Sequence, residues 1–186
     1  MTHVGILAVQ GAFAEQAKSF AAAGAEPFEI RSRRDLDRRM DVLVLPGGES
    51  TVQGRLLRDL GMFRPLRERI AAGQPVFATC AGLILLAERL EDDPTVWFGL
   101  LPVTVRRNAY GRQLGSFSAV GNVGQDENVP MTFIRAPAIA SVGQGVEVLS
   151  TFNDRPTGVR YKNITALAWH PELTDDLRVF RRFLSR

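Results

Sequence analysis

The chain has 186 residues, 45% of them hydrophobic, enough to enclose one sizeable core. Its 23 Lys+Arg against 20 Asp+Glu leave a net charge of only +3 despite a pI near 9.6, and the arginines are scattered among acids, which argues against a nucleic-acid partner. A single cysteine excludes an intrachain disulfide framework, and no apolar run reaches the ~20 residues that span a bilayer, so no membrane partner is expected.

The first nine residues lack the charged start and the length of a signal peptide; they read instead as a strand over 4–9, and a cytoplasmic location is expected. A helix over 15–23 and strands over 27–30 and 42–45 follow. The arginine cluster between Arg31 and Arg39 reads as a solvated loop and helix face. Helices are predicted over 52–60 and 63–72, then a strand over 76–78 and a helix after Cys80. From Leu83 that helix is apolar nearly all round, which predicts burial. Apolar strands separated by helices imply a parallel sheet covered on both faces. Beyond Gly99 the pattern changes to short strands, predicted over 101–106, 116–120, 132–134, 146–151 and 164–168, some forming an antiparallel extension. Thr174 is placed to cap a last helix, with Asp175 and Asp176 in its first turn and Leu177, Phe180 and Leu184 as its buried stripe. With no linker or repeat, one α/β domain over 1–186 is expected.

Cys80 stands between a short buried strand and a helix start, in Pro75-Val76-Phe77-Ala78-Thr79-Cys80-Ala81-Gly82-Leu83. Alone it reads more readily as a small core residue, because free cysteine is among the most buried types. Yet a sulfur on such a bend is held out toward a ligand, with unpartnered helix-start amides beside it, and the helix N-terminus favours a thiolate. Of the two histidines, His3 opens the first strand and is poorly placed for a base. His170 ends an apolar strand in Ala166-Leu167-Ala168-Trp169-His170-Pro171-Glu172, with a carboxylate two residues on. Cys80, His170 and Glu172 thus make a nucleophile, base and orienter.

Leu43-Val44-Leu45-Pro46-Gly47-Gly48-Glu49-Ser50-Thr51 runs from strand to helix. Ser50 and Gln53 have capping-box spacing, and the glycine pair allows close backbone approach. Walker and dinucleotide patterns are absent, so a phosphate loop is not favoured. A backbone N–H from Gly47 or Gly48, paired with that of Ala81, would hold a tetrahedral oxyanion. In open parallel sheets ligands sit outside the strands' carboxyl ends, where the 46–50 loop, Cys80 and His170 all fall.

Pro46-Gly47-Gly48-Glu49-Ser50-Thr51, Thr79-Cys80-Ala81-Gly82 and His170-Pro171-Glu172-Leu173 resemble the three signature segments of class I (triad) glutamine amidotransferases. Leu7-Ala8-Val9-Gln10-Gly11, Arg107-Asn108-Ala109-Tyr110-Gly111-Arg112-Gln113, Ser116-Phe117 and Phe133-Ile134-Arg135-Ala136-Pro137 make the chain most similar to the glutaminase subunits of pyridoxal 5′-phosphate synthases. The resemblance implies the family's three-layer fold, with a mostly parallel central sheet and a small antiparallel extension. It implies hydrolysis of L-glutamine to L-glutamate and ammonia, with Cys80, His170 and Glu172 as the triad. Gly48, Glu49, Ser50, Arg107, Ile134 and Arg135 match its glutamine-binding positions. It implies no metal or organic cofactor, and a synthase subunit as the partner that receives the ammonia. Ala78 stands where the family usually has Gly and Trp169 where Phe is usual, and 158–163 is less typical.

The rival readings are another cysteine-nucleophile hydrolase, such as a peptidase-like or γ-glutamyl hydrolase relative, and a catalytically silent scaffold. The complete Cys80–His170–Glu172 set argues against the scaffold. Adjacent glycines let the 46–50 loop's peptide planes reorient at little steric cost, so a partner could select the competent loop.

Overall fold

A computed structural model describes residues 1–91, 93–107, 109 and 115–185. Of the stretch 107–113 that contributes to the family resemblance, Asn108, Tyr110, Gly111, Arg112 and Gln113 lie outside the described residues. The first half alternates strand and helix: β1 (His3–Leu7), α1 (Phe13–Ala22), β2 (Glu26–Ile30), β3 (Val42–Leu45), α2 (Ser50–Asp59), α3 (Phe63–Ala71), β4 (Val76–Thr79) and α4 (Ala81–Leu86). Strands then dominate: β5 (Ala87–Leu90), β6 (Leu101–Arg106), β7 (Ser116–Val123), β8 (Asp126–Ile134), β9 (Ala138–Val142), β10 (Glu147–Phe152), β11 (Arg155–Tyr161) and β12 (Ile164–Leu167), closed by α5 (Arg178–Leu184).

The main sheet runs β2-β1-β3-β4-β12-β11-β10-β7-β8. From β2 to β12 every pairing is parallel; from β12 to β8 every pairing is antiparallel. A smaller sheet, β5-β6-β9, stands apart from it. Strand residues alternate between two cores. Leu7, Leu43, Leu45, Val76, Ala78 and Ala166 pack with Leu57 of α2, Leu66 and Ile70 of α3, and Leu83, Ile84, Leu85 and Leu86 of α4. Val4, Ile6, Val42, Val44, Phe77 and Leu167 pack with Phe20 of α1 and Phe180 and Phe183 of α5. Three layers result because the inner parallel strands β1, β3, β4 and β12 bury apolar residues on both faces. Phe20 meets Phe77 at 5.5 Å and Phe180 at 5.0 Å between ring centroids, both edge-on, the arrangement ring quadrupoles favour.

α4 is buried at every position, as its composition predicts, but it spans only one and a half turns before β5. The last helix starts later than expected. Thr174 does not cap it: its hydroxyl donates to Pro171 O at 3.1 Å, and the helix N-cap is Leu177. Asp176 instead accepts the Arg178 N–H at 2.9 Å and pairs with its guanidinium. Val179, Phe180 and Phe183 are its buried residues, with Leu177 and Leu184 partly buried against the same core. The arginine cluster is solvated, as expected, around a 3-10 turn at Arg33–Asp37.

Because β1, β3, β4 and β12 run parallel, their carboxyl ends share one edge of the sheet. The segments leaving that edge carry Gln10, the 46–49 loop, Cys80 and His170.

Candidate active site

Cys80 occupies the bend between β4 and α4 with φ +47° and ψ −101°. A non-glycine residue in that region stores roughly 1–3 kcal/mol of strain, which the surrounding bonds hold in place. Its N–H donates to Leu167 O at 2.8 Å, so the bend continues the β4–β12 ladder by one residue. Gly82 lets the start of α4 rest on β3: a Cβ there would collide with Leu45 O. The Cys80 side chain is turned into the cleft at this edge while remaining 93% covered (7% exposed).

Leu167 pairs with Thr79, so the residues that follow the two strands emerge side by side. His170 N donates to Thr132 O at 2.8 Å, fixing the chain after β12 against β8. The 3-10 turn Pro171–Leu173 then folds Glu172 back, and its Oε1 lies 2.7 Å from His170 Nδ1. The Glu172 side chain is fully buried, and its Oε2 has no hydrogen-bond partner among the described residues. Burial works against the His170 imidazolium, but hydrogen bonds to Cys80 and Glu172, with their negative charges, outweigh it and push its pKa up to about 10. With Nδ1 committed to Glu172, Nε2 is left for the sulfur.

The glycine loop is tied at several points. Gly47 N–H donates to Thr79 Oγ1 at 3.0 Å, Gly47 O accepts from Ala12 N at 3.0 Å, and Glu49 N–H donates to Gln10 Oε1 at 2.9 Å. Two expectations are corrected here. The Gly47 N–H is already spent, so it is not an oxyanion donor in this conformation, whereas Gly48 N–H has no partner among the described residues. What demands glycine at 47 is the imidazole, because a Cβ there would overlap His170 Cε1 and lie 3.0 Å from Nδ1. The Ser50–Gln53 capping box is also absent. Glu49 is the N-cap, Ser50 is already helical, and Gln53 Nε2 reaches Gln10 O at 2.9 Å and Pro46 O at 3.2 Å. Ala81, the first residue of α4, is buried, and its helix-start N–H has no intrahelical partner.

A cleft of about 420 Å³ lies over these groups, lined by Cys80, His170, Gly47, Gly48, Glu49, Ser50, Arg107, Ile134 and Arg135. Every residue expected to bind glutamine is therefore on its wall. Glu49 and Arg135 pair with each other at 2.9 Å across the mouth, both more than half exposed. Arg107 is braced by Asp93 Oδ2 at 2.6 Å and Thr51 Oγ1 at 3.1 Å. Arg135 itself has φ +40°, which directs its side chain from the end of β8 over the cleft. The sequence alone gives no role to Ala12, Glu15 and Ile84, which also line the cleft, or to Asp93. Gln10 and Leu173 enter only through the resemblance. Trp169 is fully buried, its indole N–H 3.4 Å from Ser150 Oγ. Among the described residues no cluster of three His, Cys, Asp or Glu side chains is placed to hold a metal, and no helix is long and apolar enough to cross a membrane.

Comparison with known proteins gives one consistent result. The profile of the SNO glutamine amidotransferase family matches residues 6–186. The chain is 57% identical to the pyridoxal 5′-phosphate synthase subunit PdxT of Desulfitobacterium hafniense (strain Y51), over 97% of this chain and 91% of that one. It is 50% identical to the subunit of the same name from Bifidobacterium longum (strain NCC 2705), over 97% of this chain and 98% of that one. A crystal structure described as a glutamine amidotransferase superposes with a TM-score of 0.93 at 40% identity, covering 98% of this chain and 97% of that one.

Proposed function

Since the chain belongs to the SNO glutamine amidotransferase family, we propose that it is the glutaminase subunit of a pyridoxal 5′-phosphate synthase, acting as one domain over residues 1–186 in the cytoplasm. It hydrolyses L-glutamine to L-glutamate and ammonia and passes the ammonia to its synthase subunit, a reading supported by the glutamine amidotransferase family it belongs to and by the synthase-subunit name its relatives carry. The observation that carries the site assignment is the buried His170–Glu172 pair, with Nδ1 to Oε1 at 2.7 Å, on the wall of a cleft of about 420 Å³ that Cys80 also lines.

Glutamine enters with its amide toward Cys80 and its zwitterionic end at the mouth. An exposed ion pair is worth only ~0–1 kcal/mol, so Glu49 and Arg135 exchange each other for the substrate's ammonium and carboxylate at little cost. Arg107, held by Asp93 and Thr51, offers a second cation on the same wall. The raised pKa of His170 favours an imidazolium beside a thiolate, and sulfur attacks the amide carbon. Gly48 N–H and Ala81 N–H are the donors assigned to the resulting oxyanion, each worth ~3 kcal/mol in comparable sites. The imidazolium then gives its proton to the leaving nitrogen, the C–N bond breaks, and ammonia departs. Acylation removes the thiolate charge and its hydrogen bond, two of the influences holding His170 protonated. Its pKa falls, and the neutral ring can take a proton from the water that cleaves the thioester. Glu172 orients the ring throughout.

The test is ammonia release from glutamine, followed with and without the synthase subunit and compared with release from γ-glutamyl peptides. Glutamine-specific release that feeds pyridoxal 5′-phosphate formation is expected. Preferential cleavage of γ-glutamyl peptides would assign the site to a peptidase-like hydrolase instead.

A further inference from the structure

We propose that Thr79 and Gln16 are positioning residues for this reaction. Together they form a buried hydrogen-bond chain from α1, through the residue preceding the nucleophile, to the Gly47 amide. The proposal rests on the glutaminase reading of the cleft.

Gln16 on α1 is fully buried, and its Nε2 donates to Thr79 Oγ1 at 3.1 Å. The same oxygen accepts the Gly47 N–H at 3.0 Å. Thr79 is also fully buried, and a hydroxyl oxygen has two lone pairs, so both are taken by donors from segments far apart in sequence. Thr79 and Cys80 are consecutive, so tying Gly47 to Thr79 ties the loop to the elbow that carries the sulfur. Ala12, just ahead of α1, holds the other side of the loop by donating to Gly47 O at 3.0 Å. The peptide between Gly47 and Gly48 is planar and trans, so the direction of Gly47 O fixes the direction of Gly48 N–H. The start of α1 thus acts on the loop twice, directly through Ala12 and indirectly through Gln16.

Stability does not account for this arrangement. Gln16 Oε1 is buried with no hydrogen-bond partner among the described residues, a penalty that an apolar side chain of similar size would avoid. What the glutamine supplies instead is one N–H that keeps the Thr79 hydroxyl in register with the loop. Replacing that hydroxyl by a methyl strands two buried donors, Gln16 Nε2–H and Gly47 N–H, and the loop must shift to satisfy them. A displaced oxyanion donor lowers the rate of the chemical step and leaves substrate affinity and the intrinsic reactivity of the thiol alone.

The experiment compares Thr79→Val, Thr79→Ser and Gln16→Met with the wild type, each assayed with saturating synthase subunit. The readouts are kcat and KM for glutamine, and the rate of Cys80 alkylation by iodoacetamide, a reaction that forms no oxyanion. T79V should lower kcat at least about tenfold, with KM within about twofold and alkylation within about threefold of wild type. T79S, which keeps the hydroxyl, should recover at least about half of kcat, and Q16M should lower kcat by a smaller factor than T79V. If T79V does not fold, a fall in kcat for Q16M with unchanged alkylation carries the same weight. Wild-type kcat in Q16M together with wild-type kcat in T79V would overturn the proposal. So would T79S as impaired as T79V, or alkylation falling in step with kcat. A wild-type protein that releases no ammonia from glutamine would overturn the glutaminase reading itself. An active wild type with wild-type kcat in both T79V and Q16M would overturn only the positioning role.

Discussion

Glu172→Gln isolates the contribution of one buried charge. The amide is nearly the size of the carboxylate, and its oxygen can still accept the Nδ1–H at the observed 2.7 Å; what disappears is the negative charge. His170 stands at about 10 against an ordinary 6.5, even though burial opposes that rise, so its two anionic neighbours together more than offset the burial. One such neighbour within contact distance is worth ~1–3 pKa units. At 1.36 kcal/mol per unit this is roughly 1.4–4 kcal/mol, or a ~10- to 10³-fold fall in kcat. The chain has only two histidines, so imidazole NMR resolves the titration directly, with His3 identified by its replacement. The His170 midpoint should move down by that amount in the variant. The sign is definite: a folded pKa above the unfolded value stabilises the fold below pH ~6.5, and this contribution is lost as pH rises through about 10. E172Q should narrow that window from its alkaline side. An unchanged His170 midpoint with unchanged kcat would refute the role given to Glu172.

Cys80→Ser should lower glutamine hydrolysis by at least ~10³-fold while the protein stays folded, since serine has no thiolate character at neutral pH; more than a tenth of wild-type turnover would remove Cys80 as nucleophile. His170→Ala should be more damaging than E172Q, because the ring moves the proton and the carboxylate only orients it; steady-state kcat decides the order. Arg107→Ala and Arg135→Ala should each raise KM for glutamine, or weaken synthase binding, by about tenfold, the low end for charge-assisted contacts because both side chains are partly open to water. The isolated subunit should turn over slowly and be activated by its synthase. The synthase is expected to act by holding the 46–50 loop in the conformation that Thr79 and Ala12 support, and full activity without partner, with no increase on adding it, would refute that gating.

The parallel half of the fold is legible because its strands are short apolar runs bounded by breakers, as Val42–Leu45 is by Asp41 and Pro46. The antiparallel half is harder to read. β11 carries Pro156 and Gly158, which break a strand pattern, yet Pro156 sits beside a register shift and a Cβ on Gly158 would lie 2.5 Å from Ser150 Oγ. β8 runs to nine residues where only 132–134 were expected; Pro130 masks it, and an edge strand tolerates the missing N–H. β9 is small-residue and mostly exposed, with no alternation to find. In the site, Cys80, His170 and Glu172 are readable because local sequence places each at a strand end. Which glycine N–H is spent is not readable, since it depends on a peptide plane set by Thr79 and Ala12. Gln16 and Thr79 lie 63 positions apart, and neither has meaning until α1 folds against β4.

Trapping the covalent intermediate tests the central claim most directly. Protein mixed with glutamine and saturating synthase subunit is quenched in acid within one turnover, digested and examined by mass spectrometry. A glutamyl thioester on the peptide containing Cys80 is expected, in larger amount in E172Q, where the ring is a weaker base for deacylation, and absent from C80S. Ammonia released at the wild-type rate with no adduct on Cys80, and equally by C80S, would contradict it.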